Sequence, residues 1–205
     1  MLFLQGLGIG LAIAAPVGVI GILCIQRTLS QGRWIGFVSG MGAATADGIY
    51  GCIAGLGLSA IADLLVAQSR WLLLVGGIFL LYLGASTFCQ KPPAAETAEI
   101  SRHNALKSYT SVLFLTLTNP LTIFSFLGVF SGLGLGQNAT DAGGAISLVL
   151  GVFWGSALWW LILSTGVHYL SRWFHLKNLI WLNRASGIAI TAFGAIALWQ
   201  FTQMG

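Results

Sequence analysis

The runs Ala15-Pro16-Val17-Gly18-Val19-Ile20-Gly21 and Ala44-Thr45-Ala46-Asp47-Gly48-Ile49-Tyr50 lie inside two successive long apolar segments. Proline in a helix interior removes an amide donor and clashes with the preceding turn, leaving backbone polar groups unpaired. In hydrocarbon such groups persist only against protein or a wet cavity. Asp47 is the only acid near the middle of any apolar segment, and a carboxylate placed there is costly enough to mark function by default. A broken helix beside a buried acid points to a path for a small molecule.

Composition agrees. The chain has 205 residues, 57% hydrophobic and 7% charged, with a mean hydropathy of +0.88. Soluble domains carry about 25% charged residues, so a soluble globular domain is excluded. A run of about 20 apolar residues crosses a ~30 Å hydrocarbon core. Six such runs are present: Leu2–Gln26, Trp34–Ala62, Trp71–Phe88, Tyr109–Leu133, Ala145–Leu170 and Leu179–Phe201. The expected fold is all-α, a polytopic membrane protein of six transmembrane helices. The membrane takes up nearly the whole chain, which leaves no segment for a soluble catalytic or nucleic-acid-binding domain. Neither an enzyme nor a nucleic-acid partner is expected.

Two halves are legible. Trp71-Leu72 is followed by Gly77-Ile78 and Gly84-Ala85, and Trp181-Leu182 by Gly187-Ile188 and Gly194-Ala195, at the same separations. Pro16 in the first span has a counterpart in Pro120 in the fourth. The expected organisation is a three-helix repeat over 1–90, a cytoplasmic linker over 91–107 and a second repeat over 108–205. Three spans per repeat force the halves into opposite orientations, and inverted repeats with interrupted helices in matching places are a sequence pointer to a transporter site.

The net charge of +4 is read as orientation rather than nucleic-acid binding. Loops one, three and five hold Arg27, Arg33, Lys91, Arg102, Lys107, Arg172 and Lys177, whereas the opposite side holds Arg70. The excess of Lys and Arg on cytoplasmic loops then places both termini outside the cytoplasm, in a cytoplasmic (inner) membrane. Arg184, near the start of the last span, is expected to snorkel to the same interface. No cleaved signal peptide is expected, because the first apolar run is too long and lacks a basic leader.

Glycines four apart, at Gly36/Gly40, Gly51/Gly55, Gly128/Gly132 and Gly151/Gly155, suit close helix packing. Trp34, Trp71, Trp173, Trp181 and Trp199 fall near span ends as interface anchors. Trp154, Trp159 and Trp160 fall within span five, facing either a cavity or lipid. Cys24, Cys52 and Cys89 are too scattered for a disulfide framework or a zinc site.

The candidate site is Pro16, Val17, Gly18, Asp47, Tyr50, Asn119 and Pro120. A helix that restarts after a break offers free N–H groups and the positive end of its dipole, which suits a carboxylate. Asn119 brings an amide that both donates and accepts. Asp47 suits an ammonium group or a proton, so it is also the candidate coupling residue, for a proton or sodium. Together these groups describe a zwitterion site, hence an amino acid. The plain alternatives are two simple kinks and an acid hydrogen-bonded to Thr45 or Tyr50. No cofactor and no resident metal are expected. Partners are a small-molecule substrate, a coupling ion and the lipid bilayer, with self-association left open.

The run from Ala15 to Gly32 resembles the first-helix signature of the LysE-type translocators, the LysE/RhtB amino-acid exporters, although Val19 stands where the family often has a second proline. Gly42-Ala43-Ala44-Thr45-Ala46-Asp47 is similar to the family's second-helix motif ending in aspartate, and Thr118-Asn119-Pro120 to its fourth-helix Asn-Pro. The resemblance implies ion-gradient-driven export of amino acids or related metabolites. Two rivals compete. A membrane thiol–disulfide relay would want a cysteine matching Cys24 in the second half, where Gly128 stands. A divalent-metal exporter would want several carboxylates, histidines or thiolates, and the spans supply essentially one acid.

Overall fold

The computed structural model describes residues 1–16, 18–55, 64–89, 102–132, 142–171 and 176–203. Among these, the regular structure is helical: α1 (Leu2–Ala14), α2 (Val19–Gln31), α3 (Arg33–Gly55), α4 (Ser69–Phe88), α5 (Arg102–Leu117), α6 (Pro120–Gly132), α7 (Ala142–Ser171) and α8 (Leu176–Gln203). Val17, Trp173 and most of the linker fall outside the described residues.

Among the described residues, three stretches, Ser69–Phe88, Gly143–Leu170 and Asn183–Gln203, are long and apolar enough to cross a membrane. The pair α1 and α2 makes a fourth if counted as one span bent by 82°. Helices α5 and α6, 16 and 13 residues long, are each too short to cross a bilayer singly. Large apolar side chains such as Leu4, Trp71, Tyr82, Trp154, Ile188 and Trp199 are exposed on the outer surface. In a chain of this composition that surface faces lipid.

Proline decides where the helices break. Helix α1 ends at Ala14, and Gly18, extended at φ −97°, starts α2. Helix α2 is joined to α3 by Gly32 alone, at φ +94°, a backbone region that only glycine enters without strain. Helix α2 therefore runs through Arg27 to Gln31, and the loop expected over 27–33 shrinks to one residue. Helix α5 starts at Arg102, inside the stretch read as linker.

Side-chain contacts give the relative directions. Gly6 lies against Leu148 and Val152, and Gly10, one turn on, against Val152 and Ser156, so α1 runs parallel to α7. Gly42 lies against Tyr109 and Leu113, and Tyr50 bonds Leu117, so α3 runs parallel to α5. Gly40 meets Trp160 and Gly51 meets Val149 and Val152, so α3 and α7 are antiparallel. Gly77 lies against Leu198 and Gly194, and Gly84 against Thr191 and Gly187, so α4 and α8 are antiparallel too.

Glycine is the reason these helices approach so closely. A methyl group added at Gly6, Gly10, Gly151 or Gly155 would fall on main-chain atoms of the facing helix. Without a hydrophobic drive between helices in lipid, such close backbone packing is what associates them. The Gly151/Gly155 spacing is legible in the sequence. Its partner seam, Gly6/Gly10, carries the same four-residue spacing, and only the packing against α7 sets it apart.

Among the described residues the interior falls into three apolar clusters. Ile9, Tyr50, Ile123, Phe126, Leu148 and Val152 form one. Ala14, Cys24, Ala43, Ala44, Val112, Ala157 and Trp160 form the second, built largely of small residues. Val19, Leu23, Leu80, Leu83, Leu115 and Ile190 form the third. Cys24 is thus a packing residue in the second cluster. Trp160 points inward and is 4% exposed, whereas Trp154 is 55% exposed, so the span-five tryptophans divide between the core and the outer surface.

Candidate functional site

The two helix breaks differ in how their backbone groups are satisfied. At the second, Pro120 has no N–H to give the Thr116 carbonyl, and the Asn119 amide takes its place at 3.2 Å. The Leu121 amide turns away from the Leu117 carbonyl and donates to Asn119 Oδ1 at 3.2 Å. The Leu117 carbonyl then accepts from the Tyr50 hydroxyl at 2.7 Å. Thr118 Oγ1 donates back to Phe114 and Leu115. Asn119 is an N-cap with proline at the first helical position, a pairing of residue types that favours a helix start. This break is closed by the protein's own side chains.

The first break is left open. Gly18 N–H donates to the Pro16 carbonyl at 3.0 Å, and the Ile22 amide reaches the Gly18 carbonyl at 3.0 Å. Among the described residues no side chain caps α2, so its first-turn amides and the positive end of its dipole are unclaimed. A Cβ built at Gly18 would meet nothing within 4 Å.

Asp47 sits beside this open break. It is 3% exposed, and Ser156 Oγ on α7 donates to its Oδ2 at 2.6 Å. Trp160 Nε1, one turn further along α7, donates to Ser156 Oγ at 3.2 Å. Ala14 at the end of α1 and Ile20 in the first turn of α2 pack in one cluster with Ala43, Ala44, Ala157 and Trp160. The end of α1, the start of α2 and the Asp47–Ser156–Trp160 chain therefore adjoin. Neither neighbour expected from local sequence bonds the acid: Thr45 donates to Met41 and accepts from Tyr109, and Tyr50 bonds Leu117. Asp47 and Tyr50 are three residues apart, one helical turn, and so lie on one side of α3. Asp47 faces α7 beside the first break, and Tyr50 faces the second.

Removing the Tyr50 hydroxyl tests the closed break. Tyr50→Phe keeps the ring against Phe126 (centroids 5.7 Å apart) but leaves the Leu117 carbonyl unpaired. The expected loss of stability is about 1–3 kcal/mol, read as earlier thermal unfolding of the purified protein in detergent.

A second polar layer lies along α2 and has no counterpart among the site residues expected from sequence. Arg27 is 8% exposed. Its Nη1 donates to Ser39 Oγ on α3 at 3.1 Å and to the Ser108 carbonyl on α5 at 2.9 Å. Its Nη2 donates to Ser111 Oγ at 2.8 Å. The neighbouring Gln26 donates to Ser30 and to Asn183 on α8, each at 3.1 Å. By sequence Arg27 belongs to a loop as a topogenic charge, and the signal for a layer, Gln26-Arg27 with Ser30, is weak on its own.

The comparisons with known proteins fall on this same architecture. Residues 11–200 match the LysE type translocator family. The chain belongs to that family. A relative from Bacillus subtilis (strain 168), named "Putative amino acid efflux protein YcgF", is 26% identical over 195 residues, covering 94% of this chain and 93% of its own. No solved structure matches significantly. As a LysE type translocator, the chain is a multi-pass membrane transporter, and its apolar helices suit that role. The matched region takes in the open break, Asp47, the closed break and the Arg27 layer.

Proposed function

We propose that this translocator exports an amino acid or a related small zwitterion from the cytoplasm by alternating access, with the ion gradient of a proton or sodium as the drive. One observation carries the reading: a buried acid, Asp47, adjoining a helix start whose amides no side chain claims among the described residues. The uncapped start of α2 receives the carboxylate, and Asp47 receives the ammonium group or the coupling ion. Ser156 and Trp160 hold the acid in place. Because Asn119 already caps α6, the carboxylate is assigned to the first break alone, and Tyr50, Asn119 and Pro120 support the wall of the site.

Six alternating spans are supported by the directions of the helix pairs. If α1–α2 and α5–α6 are the first and fourth spans, parallel pairs should join odd with odd and even with even. The parallel pairs α1/α7 and α3/α5 do so, and the antiparallel pairs α3/α7 and α4/α8 join odd with even. An inverted repeat is supported by reciprocity at the α4/α8 seam. Gly77 corresponds to Gly187 in the repeat and Gly84 to Gly194. Gly77 meets Gly194 while Gly84 meets Gly187, as a two-fold relation between the halves requires. In that relation α1 exchanges with α5 and α3 with α7, which matches the parallel pair α1/α7 with the parallel pair α5/α3.

The thiol-relay alternative has a simple test. A variant with all three cysteines replaced by alanine or serine is expected to export at the wild-type rate, and loss of export in a folded variant would favour the relay. For the main reading, membrane vesicles loaded with a panel of radiolabelled amino acids are compared with and without the translocator. Faster release of at least one amino acid is the expected result. Unchanged release across the whole panel would overturn the substrate class.

A further inference from the structure

Arg27 and Asp47 are the two buried charged side chains among the described residues. Each hydrogen bond that Arg27 is seen to make goes to a neutral oxygen: two serine hydroxyls and one carbonyl. Asp47 does not neutralise it. The acid is eight residues beyond Ser39 on α3, about 12 Å along the helix axis, and is bonded to Ser156 instead. A buried charge without an opposite partner is costly. A neutral amide, with two N–H donors, would tie α2 to two of the three acceptors without that cost. The charge therefore calls for an anion.

We propose that Arg27 is a carboxylate-binding station on the transport path, where the substrate's carboxylate replaces the serine oxygens on the guanidinium. This rests on the exporter reading above. The guanidinium presents a flat fork of donors that matches a carboxylate in two parallel bonds, and a charged acceptor outcompetes a serine hydroxyl for it. The station lies at the end of the molecule assigned to the cytoplasm, so an exported amino acid meets it first. Arg27 and the open start of α2 lie nine residues apart on one helix, about 13 Å. The carboxylate passes from the side chain of α2 to its N-terminal amides, where Asp47 takes the other end of the zwitterion. Binding at Arg27 also exchanges away its bonds to Ser108 and Ser111, which removes the polar tie between α5 and α2. In the repeat these helices belong to opposite halves, so arrival of the substrate loosens the contact that alternating access must open.

The test uses the full chain in detergent with phenylglyoxal, which modifies guanidinium groups, and peptide mass analysis to read Arg27 individually. The probes are 4-methylpentanoate, carrying only a carboxylate, and 3-methylbutylamine, carrying only an amine. The carboxylate is expected to slow modification of Arg27 several-fold while the amine does not, with Arg70 as the unprotected reference. Ser111→Ala, which removes one competing acceptor, is expected to speed modification and to lower the carboxylate concentration that protects. Equal modification with and without the carboxylate overturns the proposal, as does an Arg27 unreactive in both the wild type and Ser111→Ala. In the vesicle assay Arg27→Gln is expected to raise the half-saturating substrate concentration about tenfold or more, with Arg27→Lys intermediate. Protection of Arg27 without export of any amino acid would sink the exporter reading and leave the anion site standing. Export without protection would do the reverse.

Discussion

Replacing Asp47 by asparagine is expected to cut amino-acid export by roughly ten- to a hundred-and-fifty-fold while leaving the protein folded. Asparagine has nearly the same shape, and its carbonyl oxygen can still accept the 2.6 Å bond from Ser156. What disappears is the charge. A hydrogen bond to a charged group contributes about 1.5–3 kcal/mol, and 1.4 kcal/mol corresponds to a factor of about ten. If Asp47 also carries the coupling ion, uphill export is lost altogether, because the variant has no group in the spans to take its place. Export is measured in vesicles, and folding by the elution profile and thermal unfolding of the purified variant. A folded Asp47→Asn that exports at the wild-type rate would make the acid structural. Ser156→Ala is the companion measurement. It keeps the charge but removes its anchor, so a smaller loss is expected.

An equally large effect, on folding rather than transport, is expected at the α1/α7 seam. Gly10→Ala would press its methyl group against the Val152 carbonyl and the Ser156 amide. Neither is the end of a flexible side chain, so the two helices must separate. Overpacking of this kind costs about 1–3 kcal/mol, occasionally more, and separating α1 from α7 also displaces Ser156 and with it the anchor of Asp47. Gly10→Ala is therefore expected to unfold several degrees earlier and to lose export. Gly8 supplies the control. It lies on the same helix, a Cβ there meets nothing within 4 Å, and alanine favours the helix by about 0.5–1 kcal/mol over glycine. Gly8→Ala is expected to be neutral or slightly stabilising. The same outcome for both glycines in a thermal-unfolding series would contradict the packing described.

Features that rest on local chemistry are legible in the sequence alone. The breaks at Pro16 and Pro120 follow from the missing proline N–H, and a break near each is what the helices show. The paired spacing of Gly77/Gly84 and Gly187/Gly194 is visible in the sequence, whereas the packing of α4 along α8 at those positions is visible only in the structure. Asp47 is conspicuous because acids are rare in apolar segments. Its partner is not, since Ser156 is 109 residues away in the sequence and one serine in a glycine- and serine-rich helix looks like another. Arg27 misleads for a related reason. A basic residue at the end of an apolar run is ordinarily a topogenic charge in a loop, and only the one-residue link at Gly32 carries α2 on far enough to bury it between α3 and α5. Asn119 and Tyr50 look like ligands because polar side chains in a span invite that interpretation. Their bonds go to the Leu121 amide and the Leu117 carbonyl. The Asn-Pro pair carries a signal for this role, since asparagine before proline is a favoured helix start.

Counterflow in proteoliposomes tests most directly whether this chain by itself moves an amino acid by alternating access. Liposomes containing only the purified protein are preloaded with an unlabelled amino acid that the vesicle panel shows to be exported. They are then diluted into a trace of the labelled form with no ion gradient. The expected result is a transient accumulation of label above equilibrium, because a carrier that alternates its site exchanges one molecule for another across the membrane. Label entering no faster than in protein-free liposomes, for every amino acid in the panel, would contradict it.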